Sequence, residues 1–340
     1  MQVVTFVPMG TMEQRIGLLH DRKVVDANAT YAKLLKDRDS ESRPIAAAEA
    51  LLPADILSFL DAGDKAVARM KMALAYFSEL ANMGKIDDKD PANRRLYYEM
   101  NQVRLKAPIP RPRALGIGWW NTRGIIEESR RDSTPVGRRE TDPIKEGIKV
   151  EFAYPKEAAI CWGHPGCVIG PEDAIVQPRI SETIFNGIEL GIVVGKEAYQ
   201  VPLEKANDYI FGYTVTSDIT AFDLIQQESL LFTITRCKDM PTFWPLGPCI
   251  TYRDEIPDPR NLNVIVRVNG KEAMSDNTRS YIFSPFDYIH DVSKYMVLEP
   301  GTVIAMGSFA ETTFTFIKPG DIVENEIQKI GVLTNRVVAE

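Results

Sequence analysis

Three charged side chains, two on apolar strands and one in a loop rich in proline and aromatic residues, are where chemistry would start. Ile188-Glu189-Leu190-Gly191-Ile192-Val193-Val194-Gly195 reads as a strand, with Glu189, Gly191 and Val193 on one face and Ile188, Leu190, Ile192 and Val194 on the other. A carboxylate beside Gly191, whose missing side chain leaves space, either points into a cavity or lies on the solvated face of an antiparallel sheet. A second apolar strand over 212–219 carries Asp218 near its end, where carboxylates supply metal or substrate contacts. Asp223 follows closely and is equally suited to capping a helix over 224–231. The third charge, Lys238, belongs to a segment over 236–248 rich in proline and aromatic residues. A lysine held by such a loop is a fixed positive charge able to stabilise an enolate or a carboxylate.

Elements that must position these groups are legible along the chain. Residues 3–7 and 15–26 read as short strands, the latter folded into a hairpin at His20-Asp21-Arg22-Lys23. From Ala46 to Gly84 apolar residues recur at helical spacing, which predicts two packing helices broken near Gly63. Ala107-Pro108-Ile109-Pro110-Arg111-Pro112-Arg113 can continue neither a helix nor a central strand, so a linker is expected there. Beyond it the texture turns to strands over 188–195, 212–219, 263–268, 302–306 and 321–338, with Asn269-Gly270 as a tight type I′ hairpin turn. Segment 128–149 is crowded with charge and reads as a long loop, either a lid or a solvated insertion.

Composition bounds the rest. The chain has 340 residues, 44% hydrophobic and 26% charged, with 47 acids against 40 bases and a net charge of −7. That apolar fraction excludes disorder as the dominant state, and the acidic balance supplies no global basic field for nucleic acid or an anionic membrane. No run approaches the ~18 apolar residues of a membrane span. Its start lacks the basic and apolar regions of a secretory signal, so cytoplasmic residence is expected. Cys161, Cys167, Cys237 and Cys249 match no paired metal or redox spacing and read as structural thiols.

Taken in order, the segments resemble the fumarylacetoacetate hydrolase family, enzymes that cut or rearrange β-dicarbonyl compounds. The likeness runs from about Leu105 to Val338. It is carried by Ala107-Pro108-Ile109-Pro110-Arg111-Pro112 leading to Gly116-Ile117-Gly118, by Gly170-Pro171-Glu172-Asp173, and by the Glu189 strand closing on Gly195-Lys196. Further on it is carried by Gly212-Tyr213-Thr214 with Ser217-Asp218-Ile219-Thr220-Ala221, by Lys238 ahead of Pro245-Leu246-Gly247-Pro248, by Val268-Asn269-Gly270-Lys271, and by Leu298-Glu299-Pro300-Gly301 and Gly320-Asp321. The resemblance implies an α+β, mostly β protein: a small N-terminal α/β domain over 1–104 and a catalytic mixed β-barrel or roll over 105–340, usually homodimeric.

It also implies a site, from which this chain departs. Family members hold Mg²⁺, Mn²⁺ or Ca²⁺ on an E-x-E pair and an Asp; here Glu189 and Asp218 match, while Gly187 replaces the first carboxylate. Of the His and Glu that activate water in smaller members, Glu128 falls on the glutamate and Ile125 on the histidine. Phe222 stands for an arginine, Pro241 for an aspartate and Ser308 for a threonine. His164 is either a replacement base or a histidine hydrogen-bonded in a turn. The expected activity is hydrolytic C–C cleavage of a 1,3-dicarbonyl or acylpyruvate: Glu128 and His164 prepare water, and Lys238 or an ion on Glu189 and Asp218 holds the enolate. Trp120, Trp162 and Tyr213, with Lys238, are the expected substrate contacts. The alternatives are an isomerase, dehydratase or decarboxylase of a 2-keto acid, or a ligand-binding protein. A small keto compound is the expected partner, with no nucleic acid or membrane.

Overall fold

The computed structural model describes residues 1–118, 121–122, 156–229, 234–309 and 315–340. Strand β1 (Gln2–Pro8) pairs with β2 (Arg15–His20), which turns into β3 (Lys23–Asp26) through Asp21 and Arg22, both left-handed at φ 45° and 61°. This is the expected hairpin. Helix α1 (Ala27–Arg38), not read from the sequence, starts because Asp26 caps it, accepting from the Ala29 N–H at 2.9 Å. The stretch expected to hold two helices holds three: α2 (Pro44–Leu51), α3 (Ile56–Asp61) and α4 (Gly63–Asn82). The extra break falls at Leu52, which precedes Pro53 and is driven out of the helical region. The foreseen break is made by Gly63 at φ +62°.

β4 (Tyr97–Glu99) joins β3 and β5 (Val103–Lys106) joins β1. The proline-dense stretch that follows is packed rather than free: Ile109 is fully buried and the Thr5 hydroxyl donates to the Pro108 carbonyl at 2.7 Å. Strands β6 (Leu115–Gly118), β7 (Ile160–Gly163), β8 (Val168–Ile169) and β9 (Ala174–Gln177) lead to the two long ones, β10 (Ile184–Val194) and β11 (Ile210–Ala221). β12 (Trp244–Tyr252), β13 (Asn263–Val268), β14 (Lys271–Asn277), β15 (Val303–Ala305), β16 (Thr315–Ile317), β17 (Ile322–Ile327) and β18 (Gly331–Ala339) complete the strands described. Asn269 and Gly270, at φ 53° and 74°, make the β13–β14 turn as read.

The main sheet runs β4-β3-β2-β1-β12-β11-β10-β15-β6-β7, and a second runs β14-β13-β17-β18-β9. The class is the expected α+β, mostly β. Among the described residues neither path closes on itself, and parallel pairs such as β15–β6 lie beside antiparallel ones, so the sheets are open and mixed rather than a closed barrel. Position 105, read as the domain boundary, falls within β5, and β1 continues the main sheet by pairing with β12. β10 and β11 lie centrally and every residue of both is buried. Among the described residues no helix is long and apolar enough to cross a membrane.

Candidate active site

The register of the two central strands builds the site. Gly187 lies opposite Asp218 and Glu189 opposite Thr216. Residues opposite one another in an antiparallel pair share a face, so Gly187, Glu189, Thr216, Asp218 and Thr220 line one side of the sheet. That face is closed: Glu189 is 1% exposed and Asp218 3%. Of the two sequence alternatives for Glu189, the solvated face is therefore excluded. The short helix Thr235–Lys238 delivers Lys238, also buried, whose Nζ donates to the Asp218 carboxylate and, at 2.9 Å, to Thr220 Oγ1.

A fourth segment, just past β15, grips Glu189. The Gly307 N–H donates to Oε2 at 2.7 Å and the Ser308 hydroxyl donates to Oε1 at 2.9 Å. Gly307 adopts φ +101°, which a side chain would resist. This turn is held from behind, because Asn121 donates to the Met306 carbonyl at 2.8 Å and Thr122 to the Ser308 carbonyl at 2.9 Å. Tyr281 ties it to β10, donating to the Gly307 carbonyl and accepting from the Leu190 N–H.

Electrostatics follow from that burial. Desolvation, followed by the charge of Asp218, pushes the Glu189 carboxyl up to about 8. Desolvation also raises Asp218, with Lys238 opposing it. For Lys238 burial is the largest effect and lowers the ammonium, but the charge and hydrogen bond of Asp218, together with Cys237 and Glu189, outweigh it and hold the group above its ordinary value. Cys161 on β7 is raised to about 11 by burial and feels Lys238, Asp218 and Glu189 in turn, so this thiol belongs to the same neighbourhood.

Of the residues read from the sequence, Glu189, Asp218 and Lys238 are brought together. His164 is not brought among them: it is exposed, caps the turn Pro165–Cys167, and its Nδ1 accepts from the Gly166 N–H at 3.0 Å. Its link to the site is its backbone N–H, which donates at 2.8 Å to Asp239, the neighbour of Lys238. The turn alternative for His164 is the one the geometry fits. Trp162, 41% exposed, alternates with Cys161 along β7 and so faces away from the carboxylates. Tyr213 is fully buried on the opposite face of β11 from Asp218, which makes it a core residue rather than a site wall. Asp223 lies inside the helix Phe222–Ser229 and accepts from Ser181 and Glu182 instead of capping it. Phe222 meets Phe185 edge-on at 6.1 Å, and the Lys238 Nζ lies 5.9 Å from the Phe185 ring. Trp120, Glu128 and the 128–149 segment lie outside the described residues. Sequence reasoning missed Gly307, Thr216, Thr220 and Cys161; the mismatch at Ser308 was the one available signal for its turn.

The family model for the fumarylacetoacetate hydrolase C-terminal region matches residues 136–338, more than half of the chain. The chain belongs to this family. An uncharacterized protein of Methanocaldococcus jannaschii is 38% identical over 205 residues, 60% of this chain and 82% of that one. Oxaloacetate tautomerase YisK of Bacillus subtilis is 29% identical over 325 residues, 94% of each chain. Maleylpyruvate hydrolase from Sphingobium sp. SYK-6, solved with manganese(II) and pyruvate, shares the fold at a TM-score of 0.66 and 19% identity, covering 100% of this chain and 99% of that one. Fumarylacetoacetate hydrolase family proteins thus include hydrolases, isomerases and tautomerases acting on small molecules.

Family members bind divalent metal, and the oxygen donors of this site bear on whether it can do the same. Among the described residues no group of three or more His, Cys, Asp and Glu converges. With both ionised, two buried carboxylates facing one ammonium nevertheless offer a hard cation an excess of negative charge among oxygen donors, and a bound cation would displace the proton that burial favours on Glu189. The Thr216 hydroxyl on the same face is buried and, among the described residues, without a hydrogen-bond partner. Mg²⁺ is commonly held by one or two carboxylates, with water and substrate oxygens filling its other positions. The donor set fits on those terms.

Proposed function

We propose that this site catalyses proton transfer at the carbon next to the ketone of a 2-keto acid, a keto–enol tautomerisation or isomerisation. The observation that carries the reading is the buried Lys238–Asp218–Thr220 cluster. An ammonium has three donors; Asp218 and Thr220 accept from two. The third, which has no acceptor among the described residues, can meet an oxygen on which charge develops as the α C–H bond breaks. In the net step that C–H is lost and an O–H is formed, or the reverse, and no water is consumed. Glu189 and Asp218 would hold a divalent cation, which supplies Lewis-acid polarisation of the carbonyl when bound. The protein's own share is to fix Lys238 through two partners, to clamp Glu189 through Gly307 and Ser308, and to exclude water from both.

The full-length likeness to an oxaloacetate tautomerase supports this reading. So does Ile125 at the position of the water-activating histidine, since isoleucine takes no proton. Hydrolytic C–C cleavage is the second reading, favoured by Glu128 at the position of the water-activating glutamate and by the fold shared with a maleylpyruvate hydrolase. It uses the same enolate as a leaving group and needs an activated water in addition.

The test follows the ultraviolet decay of enol-oxaloacetate with Mg²⁺ present, alongside pyruvate release from a panel of acylpyruvates. Accelerated enol decay, lost by on the order of 10²-fold in kcat/KM in Lys238→Met, is expected. Pyruvate release without acceleration of enol decay would replace this reading with hydrolysis.

A further inference from the structure

Gly187 shows how the site makes up for a missing carboxylate. It lies on the site face, directly opposite Asp218 and two residues from Glu189. A Cβ built there would stand 2.2 Å from Ser308 Oγ and 3.0 Å from Ser308 Cβ. No side chain fits at position 187 while Ser308 is in place, so the volume a carboxylate would need is taken by a hydroxyl reaching across from another segment. That hydroxyl spends its single proton on Glu189 Oε1, which leaves its lone pairs facing the same neighbourhood.

Thr216 is an independent observation. It is 1% exposed, sits opposite Glu189 in the strand register, and its Oγ1 has no hydrogen-bond partner among the described residues. A buried hydroxyl left unpartnered costs roughly 1–3 kcal/mol, so such groups in folded proteins generally answer to a water, an ion or a ligand. Across directly opposed residues Cβ atoms lie about 4.5–5.5 Å apart, which puts this hydroxyl within one ion's reach of the Glu189 carboxylate.

We propose that the divalent-cation site of this chain is completed by two neutral oxygens: Ser308 Oγ in the place vacated at position 187, and Thr216 Oγ1 from β11, beside the carboxylates of Glu189 and Asp218. This rests on the reading of Glu189 and Asp218 as cation ligands. Serine and threonine hydroxyls are competent ligands for Mg²⁺, as in nucleotide-binding loops. Two carboxylates instead of three lower the charge count, and affinity falls with charge count. The ion is therefore held weakly and exchanges readily, and substrate oxygens complete its shell.

Binding of Mn²⁺ alone to the full chain, read by electron paramagnetic resonance from the loss of the free-ion signal, tests the proposal without substrate. Ser308→Ala and Thr216→Val are each expected to weaken Mn²⁺ binding about tenfold or more. Thr216→Ser, which restores the hydroxyl, is expected to retain wild-type binding, and this separates a ligand role from a packing role. Gly187→Glu combined with Ser308→Gly moves the oxygen back to β10 as a carboxylate and is expected to bind Mn²⁺ more tightly than wild type. Wild-type affinity in either single hydroxyl variant, or no Mn²⁺ binding by the wild type, overturns the proposal. A protein that binds Mn²⁺ in this pattern yet leaves enol decay unaccelerated overturns the proposed reaction only.

Discussion

Lys238 and Asp218 are buried to 4% and 3% exposure, so their pairing is a condition of folding as well as of chemistry. Removing one partner of such a pair strands the other charge and costs about 3–5 kcal/mol. Asp218→Asn is thus expected to lower the free energy of unfolding in urea by that order, with Lys238→Met costing a similar amount. The double variant, which buries no charge from the pair, is expected to cost clearly less than the sum of the two. Additive losses would show that the contact carries no coupling. At this scale the sequence was informative where a charge interrupts an apolar run, as at Glu189 and Asp218, or sits in a segment rich in proline and aromatic residues, as at Lys238. It marked Ser308 only as a mismatch and did not show its contact with Glu189, which joins residues 119 apart and breaks no local pattern.

Elements set the faces on which those residues meet. β10 and β11 present the site on one face and an amide pair on the other: Asn186 and Asn325 exchange hydrogen bonds at 2.9 and 3.0 Å, and Ser217 donates to Asn186 at 2.6 Å. Asn325 belongs to β17, so this pair pins the central strands to the second sheet. Asn186→Ala leaves buried polar groups on Asn325 and Ser217 without their partner, at about 1–3 kcal/mol for each such group. A drop of about 2–5 kcal/mol in urea unfolding is expected, with an unchanged m-value. Period-two alternation correctly put Glu189 and Gly191 on a common face, and the Asn-Gly and His20–Lys23 turns were legible from turn chemistry. Burial on both faces was not, because the groups that meet those faces come from distant parts of the chain: Asn325 of the second sheet on one, and Lys238, Gly307 and Ser308 on the other. Helix α1 escaped notice for a related reason: its Asp26 cap doubles as the partner of buried Arg15, and half of its apolar residues are small alanines.

For the molecule as a whole, the small N-terminal region and the site-bearing region are joined by structure that crosses position 105. β1 lies between β2 and β12 in one sheet, and the Tyr252 N–H donates to the Met1 carbonyl at 3.0 Å. Arg113 forms a two-armed contact with Asp61, both bonds at 2.7 Å, and also donates to the Pro300 carbonyl at 2.8 Å. Beneath these, Phe59 of α3 packs edge-on against Phe211 of β11 at 5.8 Å, both buried. The polar contacts are partly exposed and contribute little, whereas the apolar contact couples the two regions. The full chain is therefore expected to unfold in one cooperative step, with tryptophan fluorescence, all of it from beyond position 105, and far-ultraviolet circular dichroism giving the same midpoint. Phe59→Ala, at about 3–5 kcal/mol, is expected to lower both midpoints together, although it lies in the region before position 105. Two separated transitions, with only the first moved by Phe59→Ala, would instead make 1–104 and 105–340 independent domains and leave the Glu189–Asp218–Lys238 site indifferent to the strands that open the chain.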